Sequence, residues 1–150
     1  MRTGPVGPAG VVAVVLVTGL QAAGLTAVVR HEHAWWAVAL LVCASRVALP
    51  VACVRGVPAA RMDGLGATHI GAVPFVGAAA SLLVAVVATA AAGHALGSPW
   101  PPLVGLLLAV AVVVVLLLRC VRRLGGITGD VLGAAVEISF AVLLLAAATV

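Results

Sequence analysis

The sequence predicts an all-α, polytopic integral membrane protein, a helical bundle with about five transmembrane helices in a single transmembrane domain over residues 1–150. Three observations predict it. Hydrophobic residues make up 65% of the chain and charged residues 8%, whereas a soluble domain carries roughly a quarter charged residues. Several apolar stretches reach the ~20 residues that a bilayer-spanning helix needs. The arginines fall mostly at the ends of those stretches, where membrane topology places them.

The first apolar segment runs from about Gly10 to Val29 and is followed by the polar piece RHEH, Arg30 to His33. The second runs from about Trp35 to Val54 and contains Arg46 and Pro50, and RGVPAARMDGLGATH, Arg55 to His69, follows it. The third covers about Val73 to Ala92, with GHALGSPWPP, Gly93 to Pro102, after it. The fourth, about Leu103 to Leu118, leads into RCVRRLGGITGD, Arg119 to Asp130, and the fifth covers about Val131 to Val150. Each matches or approaches the thickness of a ~30 Å hydrocarbon core at the helical rise. The run LLLAVAVVVVLLL is rich in Val and would suggest a strand in water. In lipid, backbone hydrogen bonds must close within the segment, so a helix is expected. None of the segments shows the polar–apolar alternation of a barrel strand. Trp35, Trp36 and Trp100 stand at span edges, where amphipathic rings settle.

Arg2, Arg55, Arg61, Arg119, Arg122 and Arg123 fall on one side of this arrangement and Arg30 on the other. The positive-inside rule then puts the N-terminus and the 119–130 loop in the cytoplasm and the C-terminus outside. All eight basic residues are Arg, and Lys, Asn and Tyr are absent, a bias typical of a GC-rich bacterial genome. The expected location is a bacterial cytoplasmic membrane. The net charge of +4 reflects these span-end arginines, so no nucleic-acid partner is expected. Cys43, Cys53 and Cys120 form no CxxC or Cys/His ligand spacing and read as small buried hydrophobes. No cleavable signal peptide and no internal repeat is recognisable.

One stretch departs from its surroundings. RRLGGITGDVLGAAVE, Arg122 to Glu137, holds two of the four carboxylates beside a cluster of arginines and glycines. Thr128 or Asp130 can cap the helix that follows. The helix N-terminus, the amides of Gly125, Gly126 and Gly129, and Arg119, Arg122 and Arg123 then outline an anion site suited to phosphate. The same residues equally describe a capped helix start with topogenic arginines. Asp130 and Glu137 fall on nearly one helix face, about 10 Å apart along the axis, and Gly129 and Gly133 make that face small enough for close helix approach. Glu137 lies deep enough to require a cavity or partner, or an interhelical hydrogen bond made by its protonated form. Arg46 lies inside the second span and either snorkels or pairs with Glu137 or a phosphate. His31 and His33 flank Glu32, a weak metal pattern whose default reading is a solvated turn. His69 and His94 read as interfacial, and DGLG at Asp63 to Gly66 as a turn. No Walker, GxSxG, HExxH or kinase motif occurs.

The run RRLGGITGDVLGAAVEI, Arg122 to Ile138, closely resembles the C-terminal signature of the cobalamin synthase family, adenosylcobinamide-GDP ribazoletransferase. MRTGPVGPAGV, Met1 to Val11, and SRVALPVACVRGVPAARMDGLGA, Ser45 to Ala67, are similar to further regions of that family, so the resemblance covers nearly the whole chain. It implies a C-terminal portion of a longer architecture, lacking an N-terminal aspartate-rich motif that is expected to hold Mg²⁺. It also implies a phosphotransferase of cobalamin biosynthesis. That enzyme joins adenosylcobinamide-GDP to α-ribazole or its 5′-phosphate and releases GMP.

By that resemblance Arg122 and Arg123 would clamp the diphosphate, and Gly125, Gly126 and Gly129 would let amides approach it beside Thr128. Asp130 would join the metal aspartates or orient the nucleophile. Glu137 would hold an arginine or line the cavity. The implied partners are the lipid bilayer and the two substrates, and the metal ligands within this chain are unknown. An incomplete chain is expected to be marginally stable or to self-associate as a homo-oligomer, because Gly133 and Glu137 would face lipid. Two other readings use the same residues differently: a small transporter gated by Arg46 and Glu137, and a non-catalytic membrane scaffold.

Overall fold

The computed structural model describes residues 7–32, 34–60 and 68–150. Arg2, His33, Arg61 and the Asp63–Gly66 turn lie outside the described residues. Six helices follow in order: α1 (Pro8–Val28), α2 (Ala34–Ser45), α3 (Ala48–Ala52), α4 (Phe75–Leu96), α5 (Trp100–Leu124) and α6 (Gly129–Ala147). They make five spans long and apolar enough to cross a membrane, because α2 and α3 together form one, Ala34–Ala52. The chain is a polytopic membrane bundle, as the sequence predicts.

Pro50 explains the break between α2 and α3. It has no N–H to give the Arg46 carbonyl and its ring crowds that turn. The chain tightens instead, with the Leu49 amide donating to the Arg46 carbonyl at 3.0 Å and the Val47 amide to Ala44 at 3.1 Å.

The fourth span differs from expectation. It starts at Trp100 rather than Leu103, since Pro101 and Pro102 sit in the first turn, where a missing N–H costs nothing. It runs on through Arg119, Arg122 and Arg123 to Leu124. The expected loop of residues 119–130 is therefore only the turn 125–128. Arg is a good helix former, and cations are favoured at a helix C-terminus. With 25 residues, α5 is about 37 Å long and carries its arginines past a ~30 Å core.

α6 is the central element and touches α1, α2, α3 and α5, while α4 packs on α2 and α5. Two buried clusters are stacked along it. One joins Leu143, Leu144 and Ala147 of α6 to Val28, Leu41, Ala92, Leu96 and Leu106. The other joins Leu132, Ala135 and Val136 to Ala52, Cys53, Val113, Leu117 and Ile127. Lipid tails are as apolar as these side chains, so close packing rather than water exclusion holds the helices together. A Cβ on Gly105 would lie 2.5 Å from Ala146 Cβ, and one on Gly24 would lie 2.9 Å from Leu144 Cβ. Small residues therefore set the α5–α6 and α1–α6 approaches.

The buried hydroxyls of Ser45, Thr89 and Ser139 donate to carbonyls of their own helices at 2.7, 2.8 and 2.7 Å. They need no partner elsewhere. Cys53 is buried and Cys120 half-buried, as expected, but Cys43 is exposed, in a groove between α2 and α4. Trp35 and Trp36 are exposed and stacked at 4.0 Å beside the α1–α2 connection.

Candidate functional site at the α5–α6 turn

The turn between α5 and α6 is held from two sides. Gly125 ends α5 in the left-handed region at φ 76°, a conformation that costs glycine nothing. Its amide donates to the Val121 carbonyl at 3.0 Å. Gly126 is buried against a second segment, residues 58–60, and a Cβ there would sit 2.5 Å from Ala60 N, 2.6 Å from Ala59 C and 2.7 Å from Pro58 O. Only glycine lets these backbones meet. Ile127, fully buried, then exchanges hydrogen bonds with that segment: its amide donates to Pro58 O at 3.0 Å, and Ala60 N donates to its carbonyl at 2.9 Å. The 53–60 segment is itself anchored, with Arg55 N donating to Val73 O at 2.9 Å and Val73 N to Cys53 O at 3.0 Å. Two isolated parallel bridges, Val54 with Val73 and Ala59 with Ile127, thus make a small platform at this end of the bundle.

Charge is arranged around that platform. Arg119, Arg122 and Arg123 are exposed on the last turns of α5, and Arg55 is exposed on the platform. Arg119 shares a helix face with both of the others, three and four residues on. Across the turn, Thr128 takes the N-cap position of α6 with extended backbone, and its carbonyl accepts from Val131 N at 3.1 Å and Leu132 N at 3.2 Å. Of the two expected capping candidates, Thr128 and Asp130, Thr128 holds the N-cap position, but its side chain makes no capping bond. Gly129 and Asp130 are exposed in the first turn, where helix geometry leaves amides without intrahelical acceptors. The positive end of α6, free amides and the guanidinium-bearing end of α5 therefore lie within one four-residue connection.

The other sequence candidates lie elsewhere. Glu137 is two turns further along α6, in a groove of about 470 Å³ between α1 and α6 lined by Ala13, Val17, Thr18, Ala134 and Ile138 among others. Gln21 donates its Nε2 to Glu137 Oε2 at 2.8 Å and to the Glu137 carbonyl at 3.1 Å. The interhelical hydrogen bond exists, with the carboxylate oxygen as acceptor. Arg46 is exposed in a different groove, between α2 and α4, beside Cys43, Ser81 and Ala88. The expected pairing of Arg46 with Glu137 is not made, because the two residues open onto different pairs of helices.

Gly125 and Gly126 each also have a structural task in the turn. Gly125 gives its amide to α5 and Gly126 makes room for the platform, while Gly129 is exposed in the first turn of α6.

The sequence reading missed Gln21 and the 58–60 platform. Gln21 carried a signal, being the only carboxamide in the chain and lying inside an apolar span. The platform carried none, since Val-Pro-Ala-Ala has no distinctive chemistry.

Among the described residues no three His, Cys, Asp or Glu side chains gather to hold a metal. Asp130 is the one described carboxylate at the arginine-bearing end, and Mg²⁺ needs a fuller set of oxygen ligands. The described residues do not by themselves fit a magnesium site.

The cobalamin-5-phosphate synthase family model matches residues 1–148. The chain is 46% identical over 149 residues to an adenosylcobinamide-GDP ribazoletransferase of Nocardioides sp., covering 97% of this chain and 54% of that protein. It is 38% identical over 152 residues to the enzyme of that name from Frankia casuarinae, with coverages of 97% and 54%. It is 38% identical over 148 residues to that from Bradyrhizobium diazoefficiens, with coverages of 99% and 55%. The chain thus spans about half the length of the curated relatives it matches. No solved structure matches it.

Proposed function

Because the chain belongs to the cobalamin-5-phosphate synthase family, we propose that it forms the diphosphate-binding part of an adenosylcobinamide-GDP ribazoletransferase in a bacterial cytoplasmic membrane, with the α5–α6 turn facing the cytoplasm. The reaction transfers the cobinamide phosphoryl group from its GDP-activated form to α-ribazole or its 5′-phosphate. A ribose hydroxyl oxygen that is free in both acceptors bonds to the cobinamide phosphorus, the bond to GMP breaks, and the hydroxyl proton leaves. Such transfers need neutralised charge and in-line positioning more than covalent help from the protein.

The observation that carries this reading is the turn itself. The guanidinium groups of Arg122 and Arg123 close one helix, and the amides of Gly129 and Asp130 open the next. Both ends are fixed by the backbone bonds of Ile127 to the 58–60 segment. In the proposed roles Arg122 and Arg123 hold the diphosphate, with Arg119 and Arg55 adding positive field. Gly129 and Thr128 line its approach. Asp130 orients the attacking hydroxyl, or would offer one oxygen ligand to a divalent cation, whose charge would offset that of the diphosphate. Pre-set donors of this kind lower the barrier because they need no reorganisation during transfer.

The transporter reading has weaker support. Its gate required Arg46 and Glu137 together, and they occupy separate grooves.

The test uses the full-length Nocardioides relative, assayed for GMP release from adenosylcobinamide-GDP and α-ribazole. Alanine at the position matching Asp130 is expected to lower kcat about 10²- to 10³-fold. Alanine at those matching Arg122 and Arg123 is expected chiefly to raise KM. Wild-type kcat in the Asp130 variant would remove that residue from the site.

A further inference from the structure

We propose that the open face formed by α1 and the first half of α6 is a docking surface for further transmembrane helices of the longer family architecture. The helix that covers it presents a hydrogen-bond donor to Glu137. The proposal rests on the chemistry and shape of that face, on family membership and on length, and does not need the phosphotransfer reading.

Most of the outer surface of the bundle suits lipid as it stands. The exposed residues of α4 include Leu83, Val84 and Val87, and those of α5 include Leu107, Leu108 and Val115. Such faces gain little by meeting another helix, because hydrocarbon already solvates them.

The α1–α6 face is different in chemistry and in shape. Glu137 is exposed, Thr18 is exposed beside it, and Gln21 is half-buried. Glu137 lies eight residues from the start of α6, about 12 Å along its axis and so close to the middle of a ~30 Å core. A carboxylate at that depth is costly against lipid and normally faces a partner. Gln21 supplies one donor to Glu137 Oε2; the other carboxylate oxygen makes no hydrogen bond among the described residues.

The surface is also shaped for close approach. A Cβ on Gly133 would meet nothing within 4 Å, unlike those on Gly24 and Gly105, whose space is already filled by packed helices. Gly129, Gly133 and Ala134 are all exposed on this stretch of α6. Helices associate in lipid through such small residues and through interhelical hydrogen bonds, and this face offers both.

The occupant follows from length. The chain is matched over 97% of its residues, yet the match accounts for only 54% of the Nocardioides relative. The remainder of such a protein is chain that can cover a face of the matched part. Among the described surfaces, this is the one that sets an exposed carboxylate beside an open glycine.

A chimera of the Nocardioides relative, in which this chain replaces the segment it matches, provides the test. A benzophenone amino acid is placed at Ala134 in one version and at Val84 in another, and irradiated membranes are analysed by mass spectrometry. The expected result is an adduct between position 134 and a peptide from the unmatched part of the relative, with only lipid adducts from position 84. Lipid adducts alone from both positions would overturn the proposal. An adduct from position 134 to the same face of a second copy would overturn it in favour of a homodimer. The same pair of labels in the relative itself, at the aligned positions, keeps the test decisive if the chimera does not fold. Neither readout requires turnover, so a failure here leaves the phosphotransfer reading standing, and an inactive Asp130 variant leaves this proposal standing.

Discussion

Gly126 and Gly133 lie seven residues apart, and they separate the two regions that matter most in this protein. At Gly126 the backbone is wedged against Pro58, Ala59 and Ala60 with no room for a methyl group. At Gly133 the helix surface is empty out to 4 Å. Around the first, the amides of Gly125 and Ile127 and the carbonyl of Ile127 already have partners within the chain. Around the second, a carboxylate within the membrane span rests on a single side-chain partner, Gln21. The comparison teaches that glycine content alone does not mark a binding loop. The α5–α6 turn is a rigid support that holds charged groups outward, while the Gly133 face is an unfinished helix interface.

The largest stability effect that can break this contrast is Gly126→Ala. The added Cβ would meet backbone atoms that cannot move independently, and it would pull apart the two Ile127 bonds. The expected loss is about 2–4 kcal/mol, read as a lowered unfolding midpoint in detergent or nanodiscs. Gly133→Ala in the 150-residue chain is expected to be neutral, or stabilising by up to about 1 kcal/mol through helix propensity. Equal losses at both positions would mean that the two regions are not different in kind.

A smaller effect is expected from Gln21→Leu, which removes the donor facing Glu137 without changing the packing volume much. Interhelical hydrogen bonds in membranes contribute modestly, so the expected loss is about 1 kcal/mol. Unfolding measurements on this variant, on Glu137→Leu and on the double variant would show whether the pair is coupled. Additive losses would place each side chain's effect elsewhere.

The smallest effect concerns Cys53, at the foot of the platform. Burial pushes its thiol up from the ordinary range. The folded chain then keeps a proton that the unfolded chain releases, so stability is full below the ordinary thiol range and falls as pH rises through it. In a variant with Cys43 and Cys120 replaced by Ala, maleimide labelling of Cys53 should be slow at neutral pH and become fast on unfolding. Rapid labelling of the folded protein would mean that the platform opens.

Much of the architecture was legible before any coordinates. Whether a segment spans a membrane depends on its length and on how apolar it is, and both are local properties. The five spans and the grouping of Arg119, Arg122 and Arg123 beside a glycine turn could be read directly, whereas the second span read as continuous through Pro50. The resemblance carried by Arg122 to Ile138 led to the family that the comparisons support.

What remained illegible depends on how helices are rotated toward one another. A soluble helix declares its buried face by alternating polar and apolar positions, but a helix that is apolar all round declares none. Nothing in the run from Gly10 to Val28 says that Gln21 turns toward Glu137, 116 positions away. Nor does local sequence say that Arg46 opens between α2 and α4, or that Gly126 meets the backbone of residues 58–60. The sequence alone determined which segments lie in lipid and which charges stay at their ends, because transfer into hydrocarbon is decided segment by segment. Tertiary structure alone decided which polar groups meet, because that depends on close packing of small residues between helices distant in the chain.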